Sequence, residues 1–204
     1  MASFRFPMLS GLAALTLMLV AGCAGEQDRP REDGRYLGGE KHGTWRTYYD
    51  NGDLQSMGEY WYGIRDDEWR TWYEGGQLRS RGNYSSGQRE GVWTYWHPNG
   101  ERQAEGDYYG DEREGTWTTW HDNGATASRG EYLDGDRDGR WLRWHDTGKL
   151  AVEARFDEGL RSGEWVRYDQ GGQVQSRREW KFEPQVEAEM EAEEEDPLDF
   201  LNDL

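Results

Sequence analysis

The chain has 204 residues and a formal net charge of −17, with hydrophobic residues at only 34% beside 12 tryptophans, 12 tyrosines and 28 glycines. This aromatic and glycine-rich composition excludes an ordinary aliphatic core, and the acidity excludes the basic footprint of a nucleic-acid binder. The acidity also argues against electrostatic docking onto anionic lipid.

Residues 1–22 read as a lipoprotein signal peptide, in which Arg5 precedes an apolar run from Met8 to Val20 that is too short for a resident transmembrane helix. The stretch VAGC at 20–23 resembles a bacterial lipobox. That resemblance implies cleavage before Cys23 and lipidation of Cys23, palmitate being one of its acyl chains. Two or more chains on one residue anchor a protein stably. The mature chain is therefore expected in the bacterial cell envelope, and Ala24 after the cysteine favours the outer membrane if the host has one. Cys23 is the sole cysteine, so none remains for a disulfide, a metal site or a thiol nucleophile.

After a short linker over 23–35, residues 36–182 form an array with a constant step of 24. A first aromatic column runs Trp45, Trp69, Trp93, Trp117, Trp141 and Trp165; a second runs Tyr48, Trp72, Trp96, Trp120, Trp144 and Tyr168. A turn glycine follows at Gly52, Gly76, Gly100, Gly124, Gly148 and Gly172, and Tyr60, Tyr84, Tyr108, Tyr132, Phe156 and Trp180 close the units. Fixed self-similarity of this kind marks a repeat architecture.

Each unit reads as a β-hairpin, because aromatic and Thr-rich runs flank Asn51-Gly52, Gly75-Gly76, Asn99-Gly100 or Asn123-Gly124. A two-residue turn at Gly75-Gly76 predicts Tyr73 opposite Leu78, Thr71 opposite Ser80 and Trp69 opposite Gly82, with the indole lying over that glycine. Residues three apart on a strand point to opposite faces, so the two aromatic columns divide between core and surface. The second is expected beside Arg70, Arg79, Arg81 and their equivalents, where cation–π stacking is available. A longer loop is expected between hairpins, carrying a column of Lys41, Arg65, Arg89, Arg113, Arg137 and Arg161. This column reads either as a solvated ladder of alternating charge or as a row of guanidinium groups for an acidic partner.

The fold class expected is all-β: an elongated antiparallel β-hairpin array of six 24-residue repeats in one twisted layer, with no helix from 36 to 182. At about 10 Å per hairpin it spans roughly 60 Å. The glycine column Gly58, Gly82, Gly106, Gly130 gives way to Ala154 and Arg178, as at an end cap.

The segment GTWRTYYDNGDL at 43–54, continued by Gly58 and Tyr60, resembles the variant MORN repeat of YwqK-type antitoxins, and the resemblance covers 34–182. It implies a non-catalytic scaffold for protein–protein interaction with an antitoxin- or immunity-like role. Asp67 and Asp111 depart from the pattern where a glycine is expected, as do His97, His121 and His145 where Tyr49 and Tyr73 stand. A looser resemblance to choline-binding repeats implies the alternative, recognition of a cell-wall glycan or choline by aromatic ladders.

Enzyme chemistry finds no support. The three histidines fall about 10 Å apart on successive hairpins, too far to converge on one zinc, and Ser56, Ser80, Ser128 and Ser176 lack a paired His and acid. No metal or cofactor is implied. The tail, 183–204, carries ten acids and no base and reads as disordered, with Leu198, Phe200, Leu201 and Leu204 as a docking motif or part of a solubilising tail. A protein partner is expected to bind Tyr48, Trp72, Trp96, Trp120, Trp144 and Tyr168 together with Arg89, Arg113 and Arg137, because aromatics and arginine anchor interfaces.

Overall fold

The computed structural model of the protein describes residues 31–181, so Cys23 and the acidic tail lie outside the described residues. Thirteen strands follow one another: β1 Glu32–Leu37, β2 Glu40–Tyr48, β3 Leu54–Trp61, β4 Ile64–Trp72, β5 Leu78–Ser85, β6 Gln88–Trp96, β7 Arg102–Tyr109, β8 Glu112–Trp120, β9 Thr126–Leu133, β10 Asp136–Trp144, β11 Leu150–Asp157, β12 Leu160–Tyr168 and β13 Val174–Trp180. Each pairs only with its neighbours in sequence, giving one open antiparallel sheet, and the described residues contain no helix. The all-β hairpin array read from the repeat is thus the fold. Its first strand starts at Glu32, so residues 32–35, expected as linker, belong to the sheet.

The two kinds of turn are exchanged relative to the expectation. At Asn51-Gly52, Asn99-Gly100 and Asn123-Gly124 only the glycine has a positive φ, as with Gly52 at 89°. Tyr49 N donates to Asp53 O at 2.9 Å and Gly52 N donates to Tyr49 O at 2.8 Å. This is a three-residue loop ending in a left-handed glycine, not a two-residue primed turn. The same loop in the next repeat sets Trp72, not Tyr73, opposite Leu78, while Trp69 faces Gly82 and Thr71 faces Ser80 as expected. The two-residue primed turns lie at the other end, where Tyr62 and Gly63 have φ of 47° and 80°, and Ser86 and Gly87 have 53° and 90°. The expected long loop is therefore absent, and its cations Lys41 and Arg65 sit within β2 and β4.

Between hairpins the register breaks once per repeat. Met57 pairs with Arg70 and Glu59 with Asp66, which leaves Asp67, Glu68 and Trp69 opposite the single residue Gly58. The three-residue bulge opens on a left-handed residue, Gly43, Asp67, Gly91, Gly115, Gly139 or Gly163 in turn. It swings the tryptophan back over the preceding hairpin, where a Cβ on Gly58 would meet the Trp69 ring at 2.2 Å. The indole covers the glycine of the strand before it, not the glycine opposite it in its own hairpin. Its N–H then donates to the carbonyl beyond the break, Trp69 to Glu59 at 3.1 Å and Trp117 to Asp107 at 3.0 Å.

These tryptophans and the closing aromatics interleave into one ladder from Tyr36 and Trp45 to Trp165 and Trp180. Trp69 meets Tyr60 at 5.2 Å and Tyr84 at 5.8 Å, both edge to face. Trp117 is 1% exposed and lies between Tyr108 and Tyr132. Each such contact is worth ~1 kcal/mol beyond area burial, so the core of this single layer is a line of rings along one face.

Candidate functional site

The core ladder is roofed by its own cations. Lys41 lies 4.2 Å from the Trp45 ring and Arg65 lies 4.8 Å from Trp69. Arg89 sits 4.0 Å over Tyr108, Arg113 5.3 Å over Trp117 and Arg137 5.1 Å over Trp141. Their stems shield the rings while the guanidinium groups reach the phenols, Arg89 and Arg113 donating to Tyr108 Oη and Tyr132 Oη at 2.9 Å. Arg89 also pairs with Asp111 at 2.9 Å. Arg89, Arg113 and Arg137 therefore stand over the core ladder of tryptophans and closing aromatics, and the structure does not bring them beside the second column.

The second column is a different surface. Tyr48, Trp72, Trp96, Trp120, Trp144 and Tyr168 are all half-buried, and among the described residues the ring-to-ring contacts bypass every one of them. Alternation along β4 puts Trp72 on the face of Arg70 and Glu68. Ion pairs cover that face, with Glu68 taking Arg70 of its own strand and Arg81 of the next, and Glu153 taking Arg140 across the strands at 2.8 Å. Burial alone would raise the Glu68 carboxyl, but hydrogen bonds from Arg81 and Arg70 hold it below its ordinary value. Arg102 reaches a ring of this column, 5.9 Å from Trp120. At the array's start Tyr48 Oη donates to Asp33 at 2.9 Å.

The backbone of this column is fixed by the residue that follows its counterpart in the preceding repeat. Tyr49 Oη and Tyr73 Oη donate to the carbonyls of Trp72 and Trp96 at 2.7 and 2.8 Å. His97, His121 and His145 use Nε2 for the same bond, to Trp120, Trp144 and Tyr168 at 2.8, 2.9 and 3.1 Å. A carbonyl only accepts, so Nε2 carries the proton in each. The histidines replace tyrosine as inter-repeat pins. No group of three His, Cys, Asp or Glu among the described residues has the spacing to hold a metal ion.

Two features, one exposed and one in the core, escaped the repeat pattern because they interrupt it. Trp61 and Tyr62 at the β3–β4 turn are 60% and 47% exposed and hold the His42 ring at 4.8 and 5.0 Å. Tyr95 takes the place that threonine holds at Thr47, Thr71 and Thr119; it is 1% exposed, and burial pushes its phenol far above the ordinary value.

The pattern of the MORN repeat variant family matches residues 41–62, 68–86, 89–109, 113–134 and 137–158. A comparison with curated proteins found no match. The five matched copies cover just over half of the chain, and the chain belongs to the MORN repeat variant family. Such repeats often mediate protein or membrane interactions and are generally non-catalytic.

Proposed function

From membership of the MORN repeat variant family, we propose that the chain is a non-enzymatic scaffold, lipid-anchored through Cys23 in the bacterial envelope, whose second aromatic column captures a protein partner. The observation that carries this reading is the division of labour between the columns. Core packing buries Trp45, Trp69, Trp93, Trp117 and Trp141 of the first, whereas Trp72, Trp96, Trp120 and Trp144 stay half-buried at a regular spacing on a face of paired charges. Half-exposed tryptophans bordered by charge have the composition of an interface core inside a polar rim. An antitoxin- or immunity-like role would make that partner a toxin. Arg89, Arg113 and Arg137 then act through the sheet, by holding the opposite face rigid.

The test is capture from detergent-solubilised envelope by the parent protein and by a variant with Trp72→Ala, Trp96→Ala, Trp120→Ala and Trp144→Ala. Far-ultraviolet circular dichroism first establishes that the variant keeps the sheet. A specific protein retained by the parent and lost by the variant supports the reading. Equal capture by both removes the second column from it. Glycan-array binding without protein capture would favour recognition of a cell-wall glycan by the same rings.

A further inference from the structure

The second aromatic column carries a spacing as well as a composition. Trp72, Trp96, Trp120 and Trp144 end β4, β6, β8 and β10, so one intervening strand separates each ring from the next. Strands lie about 4.8 Å apart, which sets successive rings roughly 9.6 Å apart. Inter-repeat pins hold that step: Tyr73 Oη donates to the Trp96 carbonyl, His97 to that of Trp120 and His121 to that of Trp144, at 2.8, 2.8 and 2.9 Å. The cross-strand partners of the four tryptophans, Leu78, Arg102, Thr126 and Leu150, lie on the strands between one ring and the next.

Hydrogen-bonding capacity divides sharply along this column. Core tryptophans donate their indole N–H groups to backbone carbonyls, Trp93 to Asn83 and Trp141 to Glu131, both at 3.1 Å. Among the described residues no acceptor takes the indole N–H of Trp72, Trp96, Trp120 or Trp144, while the backbone carbonyl of each is already taken by a pin. The column therefore offers a ligand donors and ring faces. A chain that accepts hydrogen bonds but has few N–H groups of its own suits it, and proline supplies a carbonyl with no N–H.

Charge follows the same step. The loop after each ring carries one exposed carboxylate, Glu74, Glu101, Asp122 and Asp146 in turn, and only the last of these loops holds a lysine or arginine, Lys149. A ligand bearing cations at this interval is complementary to that row.

A ligand that meets all four rings must repeat one face at their step. A polyproline II helix rises about 3.1 Å per residue with three residues per turn, so it repeats a face every ~9.3 Å. An α-helix repeats a face after seven residues, ~10.5 Å, and drifts by about 3 Å across four rings. An extended strand repeats every ~6.7 Å and is out of step at the second ring. Given the second column as a protein-binding surface, the reading on which this rests, we propose that its partner is a proline-rich segment bearing lysine or arginine, bound as a polyproline II helix across the strands. One turn lies on each of Trp72, Trp96, Trp120 and Trp144, the indole N–H groups donate to its carbonyls, and its cations face the loop carboxylates. Aromatic rows recognise this conformation at low entropic cost because it is formed before binding.

The test titrates the full-length protein in detergent, at constant ionic strength, with three peptides of five triplets each: Pro-Pro-Lys, Ala-Ala-Lys with the same charge and no proline, and Pro-Pro-Glu with the same prolines and the opposite charge. Calorimetry and tryptophan emission give the affinities. Saturable binding is expected for Pro-Pro-Lys, with both other peptides weaker by about tenfold or more. Trp120→Ala takes one ring from the column and is expected to weaken binding by about tenfold or more, as loss of an interface anchor does. Trp61→Ala takes an exposed ring beside the turn at the opposite end of the strands and is expected to leave binding unchanged. Binding of either control peptide as tight as that of Pro-Pro-Lys, or an equal loss in the two variants, overturns the proposal. Envelope capture by the parent and by the four-tryptophan variant is measured beside it. Column-dependent capture of a protein without peptide binding overturns the proline-rich partner and leaves the protein-binding column in place, whereas absence of both removes the two together.

Discussion

Trp117 lies flat over Gly106, a residue to which it is not paired in the usual sense, since Gly106 stands alone against Gly115, Thr116 and Trp117 at a register break. A Cβ on Gly106 would meet the ring at 2.3 Å, and the ring is held between Tyr108 and Tyr132 with no room to retreat. The sixth repeat shows the consequence, because Ala154 occupies that place and Trp165 above it is less buried than its five counterparts. Gly106→Ala is therefore expected to lower stability by about 1–3 kcal/mol, the cost of overpacking. Thermal denaturation followed by circular dichroism checks it, and an unchanged midpoint would show that the ladder yields.

The two aromatic columns should separate in a truncation experiment. Trp117→Ala opens a hole in the core and is expected to cost ~3–5 kcal/mol, whereas Trp120→Ala removes a half-buried ring outside the ladder and should cost about 1 kcal/mol, as an average point substitution does. Chemical denaturation of both variants gives the comparison. Equal losses would mean that the second face carries core packing as well.

Asp67 holds a φ of 59° where five repeats have glycine. A left-handed conformation strains a residue with a side chain, though aspartate bears it better than most. Asp67→Gly is expected to leave the bulge intact and to raise stability by up to ~1 kcal/mol. Denaturant midpoints test this, and a fall would reveal that the Asp67 carboxylate makes a compensating contribution.

How much of this was legible in the sequence depends on whether a feature leaves a periodic trace. The step of 24 displays the hairpins, the columns and the pairing of Trp69 with Gly82, because each repeats in phase. The turns were misassigned because Asn-Gly serves both a primed two-residue turn and the end of a three-residue loop, and only the flanking pairs distinguish them. Tyr62-Gly63 carries no such cue, and the bulge at Asp67 breaks the alternation that would have marked Ile64–Trp72 as a strand. For the same reason Arg89, Arg113 and Arg137 read as loop residues, when they are strand residues placed over the ladder. Arg79 and Tyr95 are departures from the repeat, and a consensus reading averages such residues away.

His121 and Tyr73 perform one task with different atoms, each donating to the carbonyl of the aromatic one repeat later. His121→Tyr is therefore expected to be near neutral. His121→Phe removes the donor and leaves the Trp144 carbonyl without it, at a cost of about 1 kcal/mol. Melting of the two variants side by side tests the role; if the phenylalanine variant is as stable as the tyrosine one, the pin contributes nothing.

Tyr95 should set an alkaline limit. Its burial, reinforced by Tyr108 and opposed by Arg89, raises the phenol well above the ordinary value of 10.0. In the unfolded chain the same phenol ionises at that ordinary value. Below pH 10.0 the phenol is neutral in both states and its contribution to stability is fully present; above it the unfolded state alone loses the proton, so stability falls as pH rises. The melting temperature is expected to drop from about pH 10 upward, and Tyr95→Phe, which has no proton to lose, should flatten that drop while costing roughly 1 kcal/mol at neutral pH through the lost hydroxyl contact. Denaturation curves from pH 7 to pH 11 decide it, because an equally steep decline in both proteins would show that Tyr95 does not set the alkaline limit.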